Sequence, residues 1–221
     1  PTHRTDEIRV DFNPKRLRWD LTSEWAQFLI WFLQQLENKK FSRLDLAFDM
    51  IDVDVKGYLP YVFGASKSLF YDRAWNLGTI YAGARSSKSQ IRFYDKKAER
   101  KHAGYEVKDL SFWRLELQLR GNRTEIWRDD CAKKLGQFYK LEPHGVKNLN
   151  DKVLLLAMKQ DPNIYKEFSK NTQTKIRKMM KQPDNQEYTV TRMLLYCLEE
   201  NYEKLEQELN FYLAEFGIEK D

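Results

Sequence analysis

The sequence predicts an α+β fold: a mainly antiparallel sheet with covering helices, followed by a helical C-terminal region. Three observations predict it. Three runs alternate apolar and polar residues with period two, FSRLDLAFDMID (41–52), QIRFYDK (90–96) and FWRLELQLR (112–120). That is the pattern of strands with one face on a core. From about Thr124 the period becomes helical, through EIWRDDCAKKLGQFYKL, NDKVLLLAMK, IYKEFSKNTQTKIRKMMK and TVTRMLLYCLEENYEKLEQELNFYLAEF. Strands come first and helices after, the order of a segregated fold. The change of period divides the chain into a sheet region, 1–125, and a helical region, 126–221.

The 221 residues suit one large domain or a domain with a helical appendage. Hydrophobic residues make up 42% and aromatics 14%, enough for a core. A mean hydropathy of −0.74 and 32% charged residues argue for a soluble protein. No window holds the ~18 uncharged apolar residues of a membrane helix. The opening PTHRTDEIRV has no signal-peptide pattern, and a cytoplasmic location is expected. Cys131 and Cys197 are far apart and are expected as free thiols. The net charge of +5 and pI near 9.0 permit nucleic-acid binding without requiring it.

Along the chain, EIRVDF (7–12) alternates and predicts an edge strand. Thr22 is a candidate N-cap for a helix over SEWAQFLIWFLQQLEN, with Trp25, Phe28, Leu29, Phe32 and Leu36 as its core stripe. In 41–52, Leu44, Leu46, Phe48 and Met50 share one face, and Arg43, Asp45, Ala47 and Asp49 the other. Residues 57–76 read as turns broken by Pro60 and Gly64. A small-residue turn over 82–87 leads into the strand 90–96, where Ile91 and Phe93 oppose Arg92, Tyr94 and Lys96. A short charged helix or excursion follows. In 112–120, Trp113, Leu115, Leu117 and Leu119 face in, and Arg114, Glu116, Gln118 and Arg120 face out. Pro143, Pro162 and Pro183 punctuate the later helices.

Alternation alone is what any half-covered sheet shows. The outward residues are less ordinary: Asp45, Asp49 and Glu116 beside Arg92, Tyr94, Lys96, Arg114 and Arg120. If the three strands are neighbours, carboxylates from two of them converge near the tyrosine of the third. Oxygen-only ligands suit Mg²⁺ or Mn²⁺ with waters and a substrate phosphate. Asp45 and Asp49 are four residues apart, about 13 Å along a strand, so one is expected as the primary ligand and the other as an outer or DNA-facing group. Tyr94 is the candidate nucleophile on a phosphodiester, with Arg92 or Lys96 stabilising the transition state. The neighbouring cations are expected to ease formation of the phenolate. Arg85, Ser87 and Lys88 of the turn, with Arg114, are candidate DNA contacts. His3, His102 and His144 are isolated, which excludes metal ligation by a histidine pair. Lys175, Arg177 and Lys178 lie in a basic stretch, 166–181, that is either a DNA-backbone contact or a solvated helix face. The apolar residues of the acidic last helix, Leu194 to Tyr212, are expected in a core or a dimer interface.

The runs RLDLAFD (43–49), IYAGARSSKSQIRFYDKKAER (80–100) and FWRLELQLR (112–120) together resemble the Rep_trans family, rolling-circle plasmid replication initiators of the staphylococcal small-plasmid type. Related relaxases of integrative conjugative elements share the core. The resemblance covers most of residues 5–125, and the Gly-x-Arg-x-Ser then Phe-Tyr-x-Lys order carries it. It implies that Tyr94 is the nucleophile and that acidic strand residues, here Asp45, Asp49 and Glu116, hold a divalent metal. It also implies a homodimer in the bacterial cytoplasm that nicks a hairpin in the double-strand origin and recruits a host helicase. The competing expectations are a conjugative relaxase, a non-catalytic DNA-binding module, and a metal-dependent nuclease in which water attacks and Tyr94 stacks on a base.

Overall fold

The computed structural model describes residues 8–19 and 21–214. In chain order its elements are α1 (Pro14–Trp19), α2 (Glu24–Gln34), β1 (Arg43–Ile51), β2 (Tyr58–Pro60), β3 (Lys67–Tyr71), β4 (Leu77–Ala82), β5 (Ser89–Asp95), α3 (Lys96–His102), β6 (Phe112–Arg120), α4 (Trp127–Leu135), β7 (Phe138–Leu141), α5 (Leu149–Gln160), α6 (Lys170–Met180), β8 (Gln186–Glu187) and α7 (Thr189–Leu213). The α+β class with an antiparallel sheet holds. The described residues form two compact units, one of those up to Lys40 with those from Glu203 on, the other Phe41–Tyr202. No described helix is long and apolar enough to cross a membrane.

In the larger unit, five strands form one antiparallel sheet in the order β1-β6-β5-β4-β3. The three alternating runs are therefore neighbours. Leu46, Phe48, Met50, Ile80, Ile91, Phe93, Leu115, Leu117 and Leu119 make the buried face. Phe93 meets Phe138 of β7 edge-on at 4.9 Å, and Trp127, Cys131 and Leu135 of α4 are buried with them. A second sheet, β2-β7-β8, carries Tyr61, Tyr139 and Leu141 against Leu155, Met158, Ile176 and Met180 of α5 and α6. Cys131 and Cys197 are both free thiols.

The turn between β4 and β5 needs its glycine. Gly83 has φ +107, and a Cβ there would lie 2.8 Å from the Ser89 carbonyl oxygen, so only a residue without a side chain fits. At the other end of β5, Asp95 caps α3 by accepting the Ala98 amide at 2.8 Å. Arg100 and Lys101 in the last turn of α3 complement its dipole.

Four expectations change. Residues 8–12 are not a strand; α1 follows them, and Glu7 lies outside the described residues. The N-cap of α2 is Ser23, accepting from Ala26, rather than Thr22. The buried stripe of α2 is Ala26, Leu29 and Leu33, while Trp25 and Phe28 are 66% and 58% exposed. Two apolar stripes overlap on this helix, and periodicity cannot choose between them. Residues 57–76, read as turns, contain β2 and β3, strands too short or too exposed to alternate clearly.

Candidate active site

Strand register sets the site. The pairings place Phe70, Thr79, Tyr94, Arg114 and Asp49 in one row across the sheet, on its polar face. The next row on that face is Ser68, Tyr81, Arg92, Glu116 and Ala47, and the third holds Gln90, Gln118 and Asp45. Each side chain is there because its neighbours in sequence point into the core.

The Tyr94 hydroxyl donates to Glu116 Oε1 at 2.8 Å. The Arg92 guanidinium lies 3.8 Å from the centre of the Tyr94 ring. Its Nη1 approaches Glu116 Oε2 at 3.4 Å and its Nη2 approaches Glu99 Oε1 at 3.6 Å. The Arg92 Nε is buried with no hydrogen-bond partner. Arg114 grips Asp49 with two bonds, of 2.5 and 2.8 Å, and its Nη1 stands 3.8 Å from Glu116 Oε1. Lys96 is the first residue of α3 rather than a strand residue; it pairs with Glu99, and its Nζ is 5.5 Å from the Tyr94 ring centre.

Tyr94 is 2% exposed, yet its oxygen faces ionic groups and not the apolar core. Burial raises its pKa above the ordinary value near 10, and the Glu116 hydrogen bond and the Glu116 and Glu99 charges raise it further, against a smaller opposing effect of Arg114. This reverses the expectation that nearby cations ease the phenolate. The cations are already neutralised by carboxylates, and one of those carboxylates touches the hydroxyl. The Arg114 guanidinium is held still more firmly charged, chiefly by its bonds to Asp49, although burial opposes this.

The three candidate metal ligands do not converge alike. Asp45 sits in the third row, where Arg43 Nε donates to it at 2.9 Å and Gln118 lies at 3.5 Å. Among the described residues no three His, Cys, Asp or Glu side chains come together. Asp49 and Glu116 remain, on adjacent strands of one face with Arg114 spanning them. As hard oxygen donors they are of the type Mg²⁺ or Mn²⁺ takes, but both Asp49 oxygens accept from Arg114 and the Glu116 oxygens face Tyr94 and Arg92, so an ion held there would displace these partners.

Among the candidate DNA contacts, Arg85 and Lys88 are exposed. The Arg85 carbonyl accepts from Arg120. The Ser87 hydroxyl lies within hydrogen-bond distance of the Ala84 and Ser89 carbonyls, 2.7 and 2.6 Å, and so shapes the turn. On α6, Lys175 pairs with Asp151 at 2.5 Å, Arg177 donates to the Tyr165 hydroxyl at 2.8 Å, and Lys178 is exposed. A cleft of about 630 Å³ opens among Val55, Tyr58, Leu69, Leu77, Phe93 and Trp113. Its Phe93 and Trp113 alternate with Tyr94 and Arg114, so it lies on the opposite side of the sheet from the Tyr94 hydroxyl. The sequence reading missed Glu99, Phe70 and Tyr81. The alternation of Thr79 and Tyr81 with Ile80 and Ala82 was the available signal for the last.

A family model described as a replication initiation factor matches residues 65–205. A replication initiation protein from Staphylococcus aureus is 30% identical over 215 residues, covering 95% of this chain and 65% of that protein. Another from the same organism is 30% identical over 221 residues, covering 96% and 66%. The chain thus spans just under two thirds of the length of these relatives. A solved rolling circle replication initiator protein from Geobacillus stearothermophilus aligns with a TM-score of 0.36 and 21% identity over 60% of each chain. With more than half of the sequence matched by the family model, the chain belongs to the Rep_trans family of replication initiation factors.

Proposed function

We propose that this chain is the nicking and joining part of a rolling-circle plasmid initiator, acting through Tyr94 at a double-strand origin. The observation that carries the reading is the Tyr94 hydroxyl bonded to Glu116 and flanked by Arg92 and Arg114. The Tyr94 oxygen attacks the phosphorus in line and the phenol proton passes to Glu116. The bond from phosphorus to the 3′ oxygen breaks, and that oxygen takes up a proton to leave a free 3′-OH. The 5′ phosphate stays on Tyr94 as an ester, which conserves the bond and allows rejoining. Arg92 exchanges its contacts with Glu99 and Glu116 for the phosphate. Lys96 and Arg114 add positive charge around the same oxygen atoms.

Asp49 and Glu116 are the residues that would hold Mg²⁺ or Mn²⁺, with Asp45 as an outer, Arg43-bound group. When bound, the ion polarises a phosphate oxygen and offsets the charge that develops there. The exposed Arg85 and Lys88 and the α6 cations Lys175, Arg177 and Lys178 contact DNA phosphates. The reading also includes a homodimer, an extruded hairpin as substrate, a host helicase as partner, a cytoplasmic setting, and a recognition or dimerisation role for 126–221.

The test is a supercoiled plasmid carrying the cognate origin, incubated with Mg²⁺ or Mn²⁺. Covalent protein on the 5′ end that is lost in Tyr94→Phe supports the reading. If Tyr94→Phe nicks as well as the parent, water is the nucleophile and the reading falls. Binding with no nick and no adduct would leave a DNA-binding module.

A further inference from the structure

We infer that Phe70 and Tyr81 form a stacking platform for an unpaired nucleotide beside the cleavage position. The inference rests on the proposed chemistry at Tyr94 only for the word cleavage; the platform itself stands on the sheet. Phe70 is in the same cross-strand row as Tyr94, two strands away, about 10 Å at ordinary strand spacing. That span is within three stacked nucleotides at about 3.4 Å each. Tyr81 is in the next row, directly opposite Arg92.

The Phe70 and Tyr81 rings meet edge to face, 5.8 Å apart at 82°. Phe70 is 56% exposed, so much of its ring is open to solvent. The Arg92 guanidinium continues the array, 5.8 Å from the Tyr81 ring centre and 3.8 Å from that of Tyr94. Phe70, Tyr81 and Arg92 thus make a connected array of two rings and one cation, leading from the β3 edge to the candidate nucleophile, whose buried ring lies beneath the Arg92 guanidinium. Beyond it on the same face run Gln90 and Gln118, then Arg120 with the exposed Arg85 and Lys88. A single strand offers both features this surface complements, base faces and phosphates. A paired duplex keeps its base faces stacked internally and offers only the second.

The test uses the whole chain in a Tyr94→Phe background, which cannot form the ester. The probes are a labelled oligo(dT) of about a dozen nucleotides and a blunt duplex of the same length. Phe70→Ala is expected to weaken oligo(dT) binding ~10-fold, the usual scale for loss of one stacked base, with duplex binding nearly unchanged. Phe70→Trp should restore it and Phe70→Leu should not, because Leu keeps the apolar area without the π face. Equal binding of oligo(dT) by parent and Phe70→Ala, equal loss on both probes, or a change in oligomeric state in place of a change in strand binding would overturn the platform. If the chain with Tyr94 intact forms the adduct while Phe70→Ala binds oligo(dT) normally, the platform alone is removed. If the chain with Tyr94 intact forms no adduct while Phe70→Ala still loses strand binding, the nucleophile alone is removed.

Discussion

Tyr94 gives its hydroxyl proton to a hydrogen bond with Glu116, 2.8 Å away on the neighbouring strand. Register makes the pair: Glu116 is opposite Arg92, one row from Tyr94, so a long carboxylate reaches back along the strand to the phenol. The pairing keeps Tyr94 neutral in the resting protein and supplies the acceptor its proton needs on attack.

The first prediction follows from that bond. Glu116→Gln removes the two contributions of Glu116 to the raised Tyr94 pKa, so the phenol should titrate closer to its ordinary value in tyrosinate difference absorbance against Tyr94→Phe. Adduct formation should nevertheless fall about 10²–10⁴-fold, the scale of a lost proton acceptor. The pH dependence has a fixed sign. A group whose folded pKa is raised contributes stability that is complete below its unfolded value, near 10, and is lost as pH climbs through the folded value. The parent should therefore lose stability above pH 10 more steeply than Tyr94→Phe. An unchanged slope in an alkaline denaturation series would contradict it. Tyr61 and Tyr139, also raised mainly by burial, contribute equally to both proteins.

Arg114 joins two carboxylates that would otherwise repel. Arg114→Lys keeps a charge but cannot reproduce the two-bond grip on Asp49. It should lower stability by roughly 1–3 kcal/mol, the range for bonds to charged groups, and cut adduct formation by a larger factor than Tm alone explains. Recovery of activity at a higher divalent metal concentration would further tie Asp49 and Glu116 to the ion.

Gly83→Ala places a Cβ 2.8 Å from the Ser89 carbonyl oxygen at φ +107. A cost of about 1–3 kcal/mol is expected for a non-glycine residue held in such a region. It should appear as a lower denaturation midpoint with an unchanged m-value. A neutral effect would mean that the β4–β5 turn relaxes freely, and with it the placement of Arg85 and Lys88.

Lys88→Ala, on the exposed turn, should weaken DNA binding about equally for cognate and random sequence and reduce the salt slope by about one. A sequence-selective loss would instead make Lys88 a base contact. Lys178→Ala on α6 gives the parallel measurement for the helical region.

The strands β1, β5 and β6 were legible because each alternates cleanly, and alternation reports a buried face directly. The charged segment after β5 was legible only as a short helix or excursion; its N-cap Asp95 and its first residue Lys96 read in sequence as part of the strand. Of the expected α2 stripe Leu29 is buried, but large aromatics dominate any hydrophobic pattern and drew in the exposed Trp25 and Phe28, whereas Ala26 and Leu33 fill the interior. Strand β3 escaped because an edge strand exposed on both faces has no period to read. Its Phe70 belongs to the polar face only through pairing with Thr79.

By itself the chain order of residues settled that Tyr94, Arg92, Glu116, Asp49 and Asp45 would stand on polar faces of strands, since side-chain direction follows from period two alone. Which of them touch was decided by pairing and register, which are long-range. Asp45 and Asp49 look equivalent in sequence, yet one is tied to Arg43 and the other to Arg114. The sign of the Tyr94 shift was likewise decided in three dimensions: burial and a single carboxylate at hydrogen-bond distance outweigh cations that other carboxylates have already neutralised.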